Sequence, residues 1–227
     1  MDKKIIMCIA AHPDDLEFSS TATLHKFRVK GYDLVYIIVT NGENGFKVGQ
    51  SENREERTQI RKREQTEAAK KMGVMDLLFL DYRDGFLEYT EELRKQFVDL
   101  IRKYKPELIF SFDPANRSYT NLNVAHRDHR VVSEAVLDAC FAAKNNFMYA
   151  GNPHRVSQLY LYASDKPNYF ENISDLMDFK LDLLACHKSQ FPDFDKVSKF
   201  VKDEICTQTD QYEYSEAFRI LEIKEVT

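Results

Sequence analysis

The sequence predicts a Rossmann-like three-layer α/β/α sandwich built around a mostly parallel sheet. Short β-rich runs alternate with longer helical patterns along most of the chain, the signature of repeated βα units. The first two strand candidates, residues 4–10 and 34–40, are apolar with little alternation, as expected of parallel strands covered on both faces. Gly31, Gly73 and Pro106 follow the first three helical patterns, where helix stop signals belong.

In chain order, the strand at 4–10 (Lys4-Ile5-Ile6-Met7-Cys8-Ile9-Ala10) precedes a helix at 20–30, closed by Gly31. A second strand at 34–40 precedes a long helix at 54–72, closed by Gly73. That helix is dense in both charge signs, with Ile60, Ala68, Ala69 and Met72 among its few apolar positions, so most of its charges read as a solvated face. Strands at 77–80 and 107–110 flank a helix at 90–104, which ends before Pro106. A helix at 129–143 and a strand at 158–162 follow. The last third holds a helix near 175–187, a polar linker and a β-like run at 217–223. With no internal repeat or low-complexity stretch, residues 1–227 read as one domain.

Composition excludes several function classes. A net charge of −5 lacks the basic surplus of a general nucleic-acid binder. No apolar run approaches the roughly 20 residues that span a bilayer, and the one after Lys3-Lys4 is too short for a signal peptide. The four cysteines (Cys8, Cys140, Cys186, Cys206) are widely spaced and read as reduced, mostly buried thiols of a cytoplasmic protein. In that setting the sequons at Asn116 and Asn172 are chance matches.

The chemistry is concentrated at two points. Ala11-His12-Pro13-Asp14-Asp15 follows the first strand, at the sheet edge where open α/β proteins bind ligands. His12 and Asp15, two residues apart in a turn, have the spacing of a short metal chelate. His126-Arg127-Asp128-His129, beyond the strand at 107–110, falls on the same edge and is the source of a third ligand. Three protein ligands and an open position describe a catalytic zinc site. Read singly, an H-x-x-D is more often structural, and His126 suits a helix cap.

Together these segments resemble the LmbE/PIG-L family of zinc-dependent N-deacetylases, which act on N-acetylglucosamine conjugates. Further motifs are similar to that family's along nearly the whole chain: Thr40-Asn41-Gly42-Glu43, Arg61-x-x-Glu64 running to Gly73-Val74, Asp84-Gly85, His187-Lys188-Ser189-Gln190 and Tyr214-Ser215-Glu216-Ala217-Phe218. Met72 replaces a usual leucine, and Arg127 a usual proline, which alters loop stiffness and charge at the pocket rim.

The resemblance implies that His12, Asp15 and His129 hold Zn2+, with Fe2+ or another divalent ion able to use the same ligands. It makes Asp14 the general base, and sets His126 against the developing oxyanion with Asp128 orienting and charging it. Arg61, Glu43 and Asp84 are the candidate substrate contacts. Their bland readings are a surface ion pair of Arg61 with Glu64 or Glu67, and turn chemistry for the two acids. His25 reads as exposed on its helix and His154 as a loop residue. His187 belongs to a helix packed beside the site, and Tyr119, Phe147, Tyr149, Tyr160 and Tyr162 are mostly core. The implied partner is a small amino-sugar substrate, with no nucleic acid and no membrane, and homo-oligomerisation is left open.

Two other classes fit less well. A non-haem iron oxygenase shares the two-histidine, one-carboxylate set but leaves Asp14 without a role. A sugar-binding or regulatory protein on the same scaffold would be expected to lose a ligand or the base, and His12, Asp14, Asp15, His126, Asp128 and His129 are all present.

Overall fold

The computed structural model describes residues 4–47, 49–116, 118 and 125–223. Arg117 and Tyr119 therefore lie outside the described residues. A seven-stranded sheet runs in the order β3-β2-β1-β4-β5-β7-β6. Its strands are β1 (Lys4–Ala10), β2 (Tyr32–Thr40), β3 (Asp76–Tyr82), β4 (Leu108–Phe112), β5 (Gln158–Tyr162), β6 (Tyr169–Asn172) and β7 (Ser215–Glu222). The first five pair in parallel, while β7 lies antiparallel to both β5 and β6.

The helices are α1 (Asp15–Ser19), α2 (Thr21–Val29), α3 (Arg54–Met72), α4 (Glu91–Tyr104), α5 (Arg127–Ala143), α6 (Met177–Leu184) and α7 (Phe194–Phe200). In α4 the apolar positions Leu93, Phe97, Val98 and Ile101 recur at three- and four-residue spacing and are buried. Ile6–Ala10 of β1 and Leu34–Val39 of β2 are fully buried, which accounts for their unbroken apolar runs.

β1 sits between β2 and β4, and the chain builds outward first to one side and then to the other. The crevice beyond the carboxyl ends of β1 and β4 is thus the topological switch point of the sheet. The loop carrying His12–Asp15 leaves β1 there, and the chain from β4 returns to the same end before α5.

Several expectations are corrected. The helix expected at 20–30 is α2, and the short helix α1 that Asp14 starts just before it had no counterpart in the sequence reading. Helix α5 begins at Arg127, earlier than the expected 129, because His126 caps it: its Nδ1 accepts from Asp128 N at 3.2 Å. Helix α6 stops at Leu184, so His187 lies in the following turn. Strand β6, helix α7 and the π-turn Val201–Ile205 had no counterpart in the sequence reading. His25 is half-buried, its ring 4.4 Å from that of Phe179, and is not on an exposed face.

Candidate metal centre and active site

The first motif is bent so that its side chains separate. Asp14 has a left-handed backbone (φ 94°) and starts α1, while Asp15 turns back so that its Oδ2 accepts from His12 N at 2.7 Å. His12 Nδ1 then lies 3.6 Å from Asp15 Oδ2 and 3.1 Å from His129 Nε2. His129 Nε2 is 3.3 Å from Asp15 Oδ1. Two imidazole nitrogens and a carboxylate from chain segments more than a hundred residues apart thus meet within 3.1–3.6 Å. The ring of His129 stacks on Phe112 at the end of β4, with centroids 4.1 Å apart and planes 16° apart, which fixes its orientation.

The far side of His12 faces carboxylates. Its Nε2 is 3.2 Å from Asp128 Oδ2 and 3.2 Å from Asp84 Oδ1. Both acids are held by backbone donors, Asp128 by Gly85 N (2.7 Å) and Leu87 N (3.3 Å), and Asp84 by Asn44 N (3.0 Å). His12, Asp84, His126 and Asp128 also cluster closely enough to be considered as cation ligands. Asp128, with both oxygens held by backbone donors, is placed to orient the His12 ring. Metal-ligating histidines commonly present the second ring nitrogen to such a carboxylate.

The electrostatics follow from this crowding. Burial works against a charged His12, yet Asp128, Asp15 and Asp84 hold its pKa well above the ordinary histidine value. Burial would raise Asp15, but His129 and His12 keep it far below the usual carboxylate range. Asp14 behaves oppositely: burial raises it above its ordinary value despite the pull of Arg61 and His187. The two adjacent aspartates therefore differ in kind, one clamped ionised between imidazoles and one desolvated and basic. His126 is lowered by burial and by the neighbouring His12 and His129.

Arg61, from α3, is buried and reaches Asp14 Oδ2 at 3.0 Å, and it also donates to Pro13 O. The surface ion pair with Glu64 or Glu67 is thus displaced by a buried one with Asp14. Arg61 Nε and Nη1 make no hydrogen bond to the protein, and the residue lines the cavity described below. Gly42 (φ 62°) lets the turn after β2 pack here, since a Cβ would lie 2.9 Å from Pro13 Cδ and 3.0 Å from Arg61 Nε.

A cavity of about 820 Å³ opens over these groups, lined by His12, Asp14, Asp15, Arg61, Asp84 and His126 among others. It extends past Phe112 and Tyr162 to Ser164, Cys206 and Gln208.

Two expected roles differ in the structure. Glu43 is fully buried: Oε1 accepts from Arg54 Nε at 2.9 Å and Oε2 from Asp84 N at 3.2 Å. It supports the Asp84 turn from behind and is absent from the cavity lining, so the expected substrate contact is replaced by a structural one. The Asp128 carboxylate engages His12, Gly85 and Leu87, whereas its backbone N–H is what contacts the His126 ring. The pairing expected to charge His126 is therefore made with His12 instead.

Sequence reasoning passed over Glu17, Gln65 and the depth of His187, all fully or almost fully buried behind Asp14. The available signal was spacing: Gln65 lies four residues after Arg61, on the same face of α3.

Comparison with known proteins agrees with this geometry. Residues 7–140 match the family described as GlcNAc-PI de-N-acetylase, PIG-L. The chain belongs to the PIG-L family. It is 36% identical over 198 residues to the diacetylchitobiose deacetylase of Thermococcus kodakarensis, covering 85% of this chain and 72% of the relative. It is 27% identical over 200 residues to the probable N-acetyl-alpha-D-glucosaminyl L-malate deacetylase 2 of Bacillus anthracis, covering 84% and 83%. The N,N'-diacetylchitobiose deacetylase structure from Pyrococcus horikoshii superposes with a TM-score of 0.86 at 28% identity, covering 97% of this chain and 85% of that one. The PIG-L assignment accounts for both His/Asp segments and for the three-layer sandwich that positions them. No helix among the described residues is long and apolar enough to cross a membrane.

Proposed function

We propose that this PIG-L protein is a zinc-dependent hydrolase that removes the acetyl group from an N-acetylglucosamine-type amino sugar, with His12, Asp15 and His129 as metal ligands and Asp14 as general base. The observation that carries the reading is the split between adjacent carboxylates. Asp15 lies 3.6 Å from His12 and 3.3 Å from His129, and Asp14 faces away toward Arg61.

The donor set fits a zinc ion. His12 Nδ1 and His129 Nε2 lie 3.1 Å apart, and the Asp15 carboxylate offers Oδ2 3.6 Å from the first and Oδ1 3.3 Å from the second, so imidazole nitrogen and carboxylate oxygen, both ordinary zinc ligands, converge there. When bound, such an ion supplies Lewis acidity for the acyl carbonyl and lowers the pKa of water to about 7.

The chain's own groups carry the proton movements. Asp14, whose pKa is raised by burial, accepts a proton from the attacking water. Oxygen adds to the acetamido carbon, the C–N bond breaks, and Asp14 returns the proton to the departing amine. Acetate and a free amino sugar result. His126 Nδ1 accepts from Asp128 N, so the neutral ring carries its proton on Nε2. That N–H is the available donor for the oxyanion, a contribution commonly worth about 3 kcal/mol. The lowered pKa of His126 supports this neutral form in place of an imidazolium.

The length of the cavity, with Arg61 in its lining, supports a sugar conjugate as substrate. The named substrates of the relatives, diacetylchitobiose and N-acetylglucosaminyl malate, share the acetamido sugar that this chemistry requires. Four free, buried cysteines support a reducing, cytoplasmic setting. The test is a panel of N-acetylglucosamine conjugates assayed with protein of measured zinc content, before and after chelation. Acetate release that chelator abolishes and zinc restores is expected. No turnover of any conjugate by zinc-loaded protein overturns the assignment.

A further inference from the structure

Behind the cavity, a buried polar relay meets the backbone of Asp14, and the reaction outlined above assigns it no role. Gln65 Oε1 accepts from Asp14 N at 3.0 Å. The same amide's Nε2 donates to Glu17 Oε1 at 3.1 Å, and His187 Nε2 lies 3.5 Å from Glu17 Oε2. Gln65 and His187 are fully buried and Glu17 is 1% exposed. Polar groups so placed are costly unless paired; Gln65 is paired on both sides, whereas Glu17 Oε2 and the ring nitrogens of His187 make no hydrogen bond.

We propose that Gln65 and Glu17 are positioning residues that hold Asp14 in its working orientation. A non-glycine residue at φ 94° sits in a disfavoured region and persists only where its surroundings fix it. Its N–H points into the protein, where Gln65 supplies the acceptor. On the other side, Arg61, four residues earlier on α3, holds the Asp14 carboxylate. One face of one helix thus grips the residue at both backbone and side chain.

Glu17 decides which way the Gln65 amide points. An amide can present either its oxygen or its NH2 to Asp14, and only the oxygen can receive the N–H. A carboxylate opposite the other end accepts and does not donate, so it selects the NH2 on its own side and leaves the oxygen for Asp14. Glu17 belongs to α1, the helix that Asp14 starts, so the relay closes on itself: Asp14 N to Gln65, Gln65 to Glu17, and Glu17 back through one turn of helix. His187, from the turn after α6, backs Glu17 from the far side. Misorienting a base by about an ångström is enough to cost on the order of a hundredfold in rate.

This inference rests on the proposed role of Asp14, so its test separates the two. The first readout needs no substrate: hydrogen exchange of the Asp14 amide, by NMR, in wild type and Gln65→Met. Loss of Asp14 protection is expected while the β1 amides stay protected, and retained Asp14 protection overturns the proposal. The second is kinetic, with N,N'-diacetylchitobiose and matched zinc content. Gln65→Met is expected to lower kcat by about 10–100-fold with KM nearly unchanged, and to cause no further loss in an Asp14→Asn background. A full additional loss in that background shows a merely structural role and overturns the proposal.

A charge swap covers the case in which Gln65→Met folds poorly. Gln65→Glu alone sets two buried carboxylates face to face and is expected to lose kcat and Asp14 protection. Adding Glu17→Gln restores one acceptor toward Asp14 and one donor across the relay, and both readouts are expected to recover. Failure of the pair to recover either readout overturns the proposal. A wild-type rate in Asp14→Asn would instead refute the general base, while exchange still reports on the Gln65 contact.

Discussion

Replacing Arg61 by methionine is predicted to move the acid limb of the kcat/KM profile to higher pH. Arg61 Nη2 lies 3.0 Å from Asp14 Oδ2, with side chains 3% and 16% exposed, so solvent screens the pair weakly. At an effective dielectric of 20, that separation corresponds to a gross attraction of about 5.5 kcal/mol. Part of it is offset by desolvation of the two groups, and a partner at this range usually lowers a carboxylate by about one to three pKa units. The sign follows from which form acts. Burial already raises Asp14 and Arg61 opposes it, so removing the cation raises the carboxyl further and protonates the base at higher pH. The limb should therefore rise by about one to three pH units, each unit equal to about 1.36 kcal/mol. Arg61→Lys retains a charge and should move it less. The assay is initial acetate release across roughly pH 4–9 at fixed zinc occupancy. A uniform fall in kcat/KM with the limb unmoved would refute the coupling and leave Arg61 as a substrate contact alone.

Three further outcomes follow from particular contacts. Metal-free His12 is held well above its ordinary pKa by Asp128, Asp15 and Asp84 against the effect of burial, so zinc binding at pH 7 should release protons. Calorimetry in buffers of different ionisation enthalpy reads this directly, and a buffer-independent enthalpy would contradict it. Asp128→Asn sets an amide NH2 against Gly85 N or Leu87 N and loosens His12, which should weaken zinc binding by about 10–100-fold in a chelator competition. Unchanged affinity would show that Asp128 does not orient the ligand. Lys180→Met leaves Glu216 buried without its cation, although Ala22 N and Thr23 N still bind that carboxylate. Destabilisation of about 3–5 kcal/mol in urea is expected, with partial recovery when Glu216→Gln is added.

Where chemistry and structure coincide over a few residues, the sequence was readable. The apolar run Ile5–Ala10 followed by a charged turn located β1 and the loop that carries the site, because a strand covered on both faces cannot hide its pattern. The doubled aspartate suggested two jobs, and the left-handed backbone of Asp14 turns the two side chains in different directions. The helix-cap reading of His126 holds, and the same residue lines the cavity.

What stayed hidden depends on distant chain segments. Glu43 looked like a binding residue because its burial comes from Arg54 and from the Asp84 turn, contacts that no local pattern shows. Gln65 was masked by the charges around it on α3, and Glu17 by an α1 too short to show a periodicity. Lys180 of α6 meets Glu216 from β7 in the interior, a pairing that no local pattern shows. Strand β6 has four half-buried or exposed residues and pairs with β7, which lies far ahead in the chain, so no alternation marked it.

The measurement that bears most directly on the account is the rate of N,N'-diacetylchitobiose deacetylation by Asp14→Asn, with zinc determined on the same preparation. The account predicts full zinc occupancy, because His12, Asp15 and His129 are untouched. It predicts a loss in kcat of about 10²–10⁴-fold, the usual scale for a general base. A near wild-type rate at full zinc occupancy would contradict the division of labour between Asp14 and Asp15, as would loss of the metal itself.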